Sequence, residues 1–262
     1  MKTYTKASLI EALKEIHQRG WIENTTRVGN QGAIGNLLED LLELEENNLP
    51  LPNAAEWELK AGRNGSRALT TLMHVEPSPI AIRFVPAILL PQYGWTHIEA
   101  GSKYLQSERS FRQTIRAGQY SDRGFSVVLD HVLQKVMISF DARQVSAKHH
   151  AWLKGIEQTV GLGELNPQPY WGFQDLTQRA GTKLPNLFYV TADRRRVNGR
   201  EEFHYMQALM LTTFDPTKFI AALQDGQIYI DFDARTSHNH GTKFRIRKSL
   251  LPYLYTHAVQ IF

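Results

Sequence analysis

The apolar positions of this chain alternate between a period near 3.6 and a period of two, and the changes of period predict its elements. Leu9, Ile10, Leu13 and Ile16 fall at helical spacing, predicting a helix over Ser8–Arg19 that Gly20 stops. Gly29–Gly35 is a glycine-rich turn. Ile34, Leu37, Leu38, Leu41 and Leu42 then form one stripe of a second helix, which ends in the acidic run Glu43–Glu46. Asn47–Pro52 reads as a turn before a strand over Glu56–Ala61, and Gly62–Ser66 turns the chain again. Strands are predicted over Leu69–His74 and Ile80–Val85, with a hairpin pair over Phe125–Leu129 and Lys135–Phe140. Ser146–Ile156 reads as a helix. Leu187–Thr191 and Phe203–Leu211 read as strands around a polar turn at Asp193–Arg200. A helix over Asp215–Leu223 closes near Gly226. A strand over Gln227–Asp233, a loop over Ala234–Thr242 and a strand over Lys243–Arg247 follow, and Ser249–Phe262 holds a short helix and a last strand. There are no repeats and no low-complexity linker. The order is that of a mixed α/β chain without the regular βαβ alternation of a doubly wound fold.

Composition narrows the class. A length of 262 residues suits one large domain, or two lobes sharing a cleft, and 42% hydrophobic with 10% aromatic residues is globular composition. The longest apolar candidate, near Phe84–Leu90, is broken by Pro86 and is too short to span a bilayer, so no membrane association is expected. The N-terminus leads into an amphipathic stretch, not the apolar core of a signal peptide. Cysteine is absent, which excludes disulfides and thiolate metal sites and leaves a reducing cytoplasm as the expected location. The net charge of +4 is unevenly spread. Residues 1–58 hold ten acids and five Lys/Arg, leaving 16 acids and 25 Lys/Arg, a net of +9, for the rest. That basic bulk is compatible with a polyanion partner, and equally with ordinary surface charge.

The chemistry concentrates on Asn53, Glu58 and Lys60. On an extended strand Glu58 and Lys60 share one face, while Trp57, Leu59 and Ala61 share the other. A carboxylate and an ammonium at that spacing, beside an oxygen ligand at Asn53, could hold a divalent metal and a water against a phosphodiester. Mg²⁺ takes hard oxygen ligands and needs only one or two carboxylates plus a phosphate oxygen. Taken alone, Glu-x-Lys reads as well as an ion pair on an edge strand. Glu39, on the helix that precedes the strand, is a candidate third acid or an exposed helix residue. Two histidines and three Lys/Arg crowd Ser237–Arg247, where Arg offers a fork to guanine and His a donor or acceptor at a base edge. Arg63 and Arg67 follow the strand and could contact phosphates or bases. Arg109, Arg112 and Arg116 have near-helical spacing and suit a phosphate-contacting or a solvated face. Arg194–Arg196 reads as an exposed turn, and the five tryptophans read as core or cleft wall.

Several separated motifs, in order, resemble the MvaI/BcnI family of restriction endonucleases, which is related to the mismatch-repair nicking enzyme MutH. They are Asn30-Gln-Gly-Ala-Ile-Gly35-Asn-Leu-Leu-Glu39-Asp-Leu-Leu, Glu45-Glu-Asn-Asn-Leu49, Asn53-Ala-Ala-Glu-Trp-Glu58-Leu-Lys60 and Leu69-Thr-Thr-Leu-Met-His74. Pro169-Tyr-Trp171, Glu202-Phe-His204, Asp225-Gly226 and Ser237-His238-Asn-His240-Gly241-Thr-Lys-Phe-Arg245-Ile complete the set. The resemblance covers nearly the whole chain. It implies a PD-(D/E)xK nuclease core, with a central mixed sheet flanked by helices and with catalytic and recognition lobes forming a DNA cleft within one domain over 1–262. It implies a monomer that binds double-stranded DNA at a short CCNGG-type site and cuts one strand at a time with Mg²⁺. A cognate DNA methyltransferase is then expected in the same host as a functional, not physical, partner. Glu58 matches the metal-binding acid, Lys60 the catalytic lysine and Glu39 the helix glutamate. Asn53 stands where the family has its first aspartate. The asparagine is either an engineered inactivation or native, the protein then being slow, using Glu56, or binding without cutting. His74 matches a base-reading histidine of the branch with a G/C centre. His238, His240, Lys243 and Arg245 resemble the DNA-reading segment of the branch with an A/T centre. The alternatives left open are a DNA-binding protein without catalysis and a MutH-like repair nickase.

Overall fold

The computed structural model describes residues 4–25, 32–44, 51–52, 54 and 56–262. In chain order the elements begin with α1 (Lys6–Gln18), β1 (Ile22–Glu23), α2 (Ala33–Leu41), β2 (Trp57–Arg63) and β3 (Leu69–His74). After short helical turns come α3 (Leu90–Tyr93), β4 (Trp95–Thr96), β5 (Arg109–Ile115), β6 (Arg123–Asp130), β7 (Lys135–Val145), α4 (His150–Thr159), β8 (Tyr170–Gly172) and α5 (Phe173–Lys183). The chain ends with β9 (Asn186–Val197), β10 (Arg200–Phe214), α6 (Pro216–Gln224), β11 (Ile228–Arg235), β12 (His238–Arg247) and β13 (Tyr255–Gln260). They form a mixed α/β fold in two compact units, the first made of residues 1–70, 179–218 and 248–262 and the second of 71–178 and 219–247. Among the described residues no helix is long and apolar enough to cross a membrane, which leaves strand-built barrels unaddressed.

The first unit is built on a five-stranded mixed sheet in the order β1-β10-β9-β2, with β13 also paired to β10. The β2–β9 pair is parallel and the others are antiparallel. Alternation along β2 sends Trp57 and Leu59 into a core shared with Leu9, Leu13 and Ile16 of α1 and with Leu37 and Leu38 of α2. Trp57 packs on Phe188 with ring centroids 4.7 Å apart. Thr5 caps α1 through a reciprocal pair with Ser8, and Gly20 leaves the helix at φ 71°.

The second unit has one sheet in the order β3-β12-β11-β5-β4 and another in the order β6-β7-β8. The first has an apolar face of Phe111, Ile115, Ile230, Phe232, Phe244 and Ile246, all buried. Its other face carries the charged residues of β5, β11 and β12, the pattern of an antiparallel sheet covered on one side.

Four sequence expectations are corrected. Ile80–Val85 is not a strand: a 3-10 turn at Ile80–Ile82 leads into a π turn at Val85–Leu89. Pro79, Pro86 and Pro91 lack the N–H groups a ladder needs, and Arg83 sits at φ 54°. The polar turn at Asp193–Arg200 shrinks to Asn198–Gly199, both at positive φ, the geometry that a two-residue hairpin requires. Arg194 and Arg195 therefore lie on a strand, 2.6 Å from Glu201 and Glu202. Arg109 and Arg112 stand on β5, with Arg116 just beyond it, so the three do not share a helical face. The Ala234–Thr242 loop is mostly strand, and His238 and His240 belong to β12. Gly35 lies inside α2, while the rest of the glycine-rich turn before Gly32, the acids Glu45 and Glu46 and the Asn47–Pro50 turn fall outside the described residues.

Candidate functional site

The site in the first unit grows from the last strand in the described order of its sheet. Among the described strands β2 pairs with β9, with Glu58 opposite Leu187 and Lys60 opposite Tyr189. The face carrying Glu58 and Lys60 is the reverse of the Trp57–Leu59 core face, so the strand's alternation brings the acid and the lysine together as expected. Glu58 is only 3% exposed. A carboxylate so buried needs charge around it. Lys60 Nζ donates to Glu58 Oε1 at 2.9 Å, and a second ammonium, that of Lys183 at the end of α5, lies 3.0 Å from Oε2. Lys183 Nζ also donates to the carbonyl of Leu51. Oε2 accepts no aligned hydrogen bond, so the Lys183 contact is one of charge without direction. The buried Tyr255 hydroxyl has no hydrogen-bond partner, and burial, with the Glu58 charge second, pushes its pKa up. Neither Lys183 nor Tyr255 was singled out from sequence. Both come from segments more than a hundred residues distant, and a terminal helix lysine and a strand tyrosine carry no local signal.

Asn53 lies outside the described residues. Glu56 is exposed, and its carbonyl accepts from Asn186. Glu39 is half-buried on α2, whose core residues Leu37 and Leu38 pack with Trp57 and Leu59. Its helix therefore covers the face of β2 opposite to Glu58. Arg63 and Arg67 are exposed at and after the end of β2, and Lys248 Nζ donates to the Arg63 carbonyl at 3.4 Å. Among the described residues no three His, Asp or Glu side chains converge as a metal cage. The part of the pattern that is described offers a hard cation one buried carboxylate, whose Oε2 accepts no hydrogen bond but faces the Lys183 ammonium, with Lys60 on the other oxygen.

The second unit gathers the predicted reading residues. His74 ends β3, and His238 and His240 project from the start of β12 with rings 4.2 Å apart, edge to face. Gly241 joins the two strands' residues: a Cβ there would stand 3.6 Å from His74 Cδ2 and 3.4 Å from Glu76 Oε1. Glu76 in turn accepts from the Thr242 amide at 2.8 Å and from its hydroxyl at 3.0 Å. The buried Thr242, two residues after the exposed His240, is thus tied to Glu76.

Lys243 and Arg245 are half-buried on the polar face of the same strand. Arg245 Nη1 lies 3.1 Å from Asp231, and Lys243 Nζ 3.8 Å from Asp233, which also takes Arg112 at 2.7 Å. Burial works to raise the Asp233 carboxyl, but the Arg112 hydrogen bond and charge, with His240 and Lys243 beyond, hold it below the usual carboxylate range. Sequence reasoning expected Lys243 and Arg245 but not Asp231 and Asp233, which restrain them. Those acids were visible only as part of a strand until cross-strand register set Asp231 opposite Lys243 and Asp233 opposite Arg112.

No curated protein matches this chain. Solved structures share its fold, two of them as follows. The chain is similar to one described as restriction endonuclease MvaI in complex with a cognate DNA substrate, at a TM-score of 0.79 and 22% identity over 99% of this chain and 100% of that one. It is also similar to one described as restriction endonuclease MvaI in the absence of DNA, at a TM-score of 0.54 and 22% identity over the whole of both chains. The sequence profile of the MvaI/BcnI restriction endonuclease family matches residues 10–255, nearly the full length. The chain belongs to the MvaI/BcnI restriction endonuclease family, a family of type II site-specific deoxyribonucleases.

Proposed function

We propose that this chain hydrolyses double-stranded DNA at a short CCNGG-type site with Mg²⁺, as a monomer of one domain that nicks each strand in turn. The observation that carries the reading is the buried Glu58 carboxylate, flanked by Lys60 on the last strand in the described order of the first unit's sheet. In this reading Glu58, with Asn53, holds the metal. When bound, Mg²⁺ would polarise the phosphate and lower the pKa of a water. Lys60 orients that water and offsets charge developing on the phosphate, and Glu39 is the further acid of the site. His74, His238, His240 and Arg245 read bases, while Arg63, Arg67 and Lys243 contact DNA. The DNA-bound state of the similar MvaI structure supports duplex DNA as the ligand. A cytoplasmic location and a cognate methyltransferase that protects host DNA complete the proposal.

Asn53 favours a second reading, a sequence-specific DNA-binding protein that has lost cutting. A neutral amide binds a metal more weakly than a carboxylate, and Glu58 is already attended by two ammoniums. Supercoiled plasmid carrying CCNGG sites separates the readings. Parent protein and Asn53→Asp are each incubated with Mg²⁺, and nicked and linear products are resolved. Strong Mg²⁺-dependent linearisation by Asn53→Asp supports the nuclease, and no gain over the parent sinks the metal-ligand role of that position. Nicked circles that never become linear would indicate a nickase.

A further inference from the structure

The second lysine at Glu58 is not accounted for by the nuclease pattern. Lys60 already supplies the ammonium that the chemistry asks for, and one cation is enough to neutralise one carboxylate. Lys183 sets a second ammonium against the same carboxylate, in a place where the Glu58 and Lys183 side chains are only 5% and 16% exposed. Burying a second ammonium costs desolvation, so its position calls for a reason beyond neutralising Glu58.

The geometry supplies one. Lys183 lies 3.0 Å from Oε2, yet that oxygen accepts no aligned hydrogen bond. The ammonium acts there as a point charge, as lysine characteristically does. It is anchored from the other side by the Leu51 carbonyl and by its place as the last residue of α5, an 11-residue helix whose C-terminal end favours cations. A group held in this way can leave the carboxylate without being stranded, because the helix end and the Leu51 carbonyl still attend it. A divalent ion entering at Oε2 would need that same space and would meet that same charge.

We propose that Lys183 is an internal counter-cation that occupies the electrostatic place of the divalent metal at Glu58 and competes with it. It faces the second carboxylate oxygen, Oε2, while no metal is bound, and it lowers the affinity of the site for the ion. This rests on the reading of Glu58 as a metal ligand. Lys183 is thus a positioning residue that acts through Glu58 and sets how much metal the enzyme needs.

Direct Mn²⁺ binding to the full-length protein without DNA tests this, by counting free Mn²⁺ with electron paramagnetic resonance. Lys183→Met is expected to bind Mn²⁺ about tenfold more tightly than the parent or better, since an opposing charge at such a distance shifts ionic equilibria by one or more powers of ten. Lys183→Arg, which keeps the charge, is expected to bind like the parent. Adding Glu58→Gln to Lys183→Met is expected to abolish the gain. Thermal melts add an independent readout: Lys183→Met melts below the parent without metal, and Mn²⁺ raises its Tm by more than the parent's. Lys183→Gln serves the same comparison if the methionine variant does not fold.

Equal Mn²⁺ affinity in the parent and the neutral variants, lost in each on Glu58→Gln, overturns the competition while leaving Glu58 as a ligand. A gain that Lys183→Arg shares, or that survives Glu58→Gln, also overturns it. No Mn²⁺ binding by any variant overturns both the competition and the metal-ligand reading of Glu58.

Discussion

At the scale of single residues, Glu58 shows how burial turns a common dipeptide spacing into a chemical centre. On a solvated strand its pair with Lys60 would be worth almost nothing. At 3% exposure the carboxylate depends on the charges around it. Lys60→Met should therefore lower cleavage about a hundredfold or more, the scale of losing one preorganised electrostatic group. Binding of site-containing DNA should change far less, as measured by fluorescence anisotropy. Tyr255 makes the opposite case. Its buried hydroxyl has no hydrogen-bond partner, so it carries a desolvation cost with no return. Tyr255→Phe is expected to hold or raise stability, by up to about 1 kcal/mol in urea denaturation. A clear loss would show that the hydroxyl serves a neighbour. The spacing of Glu58 and Lys60 was legible because a strand's period of two needs no tertiary information. Lys183 was not, because a residue at a helix end meets a distant strand only through the fold.

At the scale of elements, packing decides what a strand can present. Gly62 on β2 has the Tyr189 hydroxyl where its side chain would be, 2.4 Å from an added Cβ. Tyr189 is buried and its pKa is raised chiefly by burial, so the ring has little room to yield. Gly62→Ala should cost about 1–3 kcal/mol, the range for overpacking. Tyr189→Phe in the same chain should recover much of it, which a double-mutant cycle by urea denaturation would measure.

On β11, Asp233 ties Arg112 and Lys243 across three strands. Its folded pKa lies below the unfolded value. The stability it contributes is therefore present above about pH 4 and is lost as pH falls through its folded pKa. Asp233→Asn should lower stability at pH 7 by less than about 1 kcal/mol, since Arg112 is well exposed. The difference from the parent should shrink in melts as pH falls below about 4 and vanish only below the folded pKa, where both forms are uncharged. The hairpin β9–β10 is legible in sequence at Asn198–Gly199, a two-residue turn signal, but the polar run around it hides the signal. Arg194 and Arg195 look solvated until Glu201 and Glu202 arrive opposite them.

At the scale of the whole molecule, candidate cutting and reading residues fall in different compact units. Glu58, Lys60 and Lys183 lie in the first, and His74, His238, His240, Lys243 and Arg245 in the second. The two tasks should therefore separate on mutation. His74→Ala and Arg245→Ala are expected to relax discrimination between CCNGG and mismatched sites by about 1–3 kcal/mol per lost base contact, read by competition binding. Mn²⁺ affinity should stay unchanged in both. Glu58→Gln should do the reverse, removing metal binding while keeping the preference among DNA sequences. A loss of metal binding in His74→Ala or Arg245→Ala would contradict the division.

The sequence by itself determined the class, a mixed α/β chain without cysteine, and the family through separated motifs in a fixed order. It also placed Glu58 and Lys60 on one strand face, and it exposed Asn53 as a departure where an acid was expected. These are properties of spacing and residue type, which survive without coordinates. Tertiary structure alone decided that β2 stands last in the described order of its sheet, that α2 covers its apolar face and that a second ammonium meets Glu58. It alone decided that Asp231 and Asp233 restrain the cations of β12. Each of these depends on which distant segments lie within a few ångströms, and both burial and charge interactions are functions of that distance.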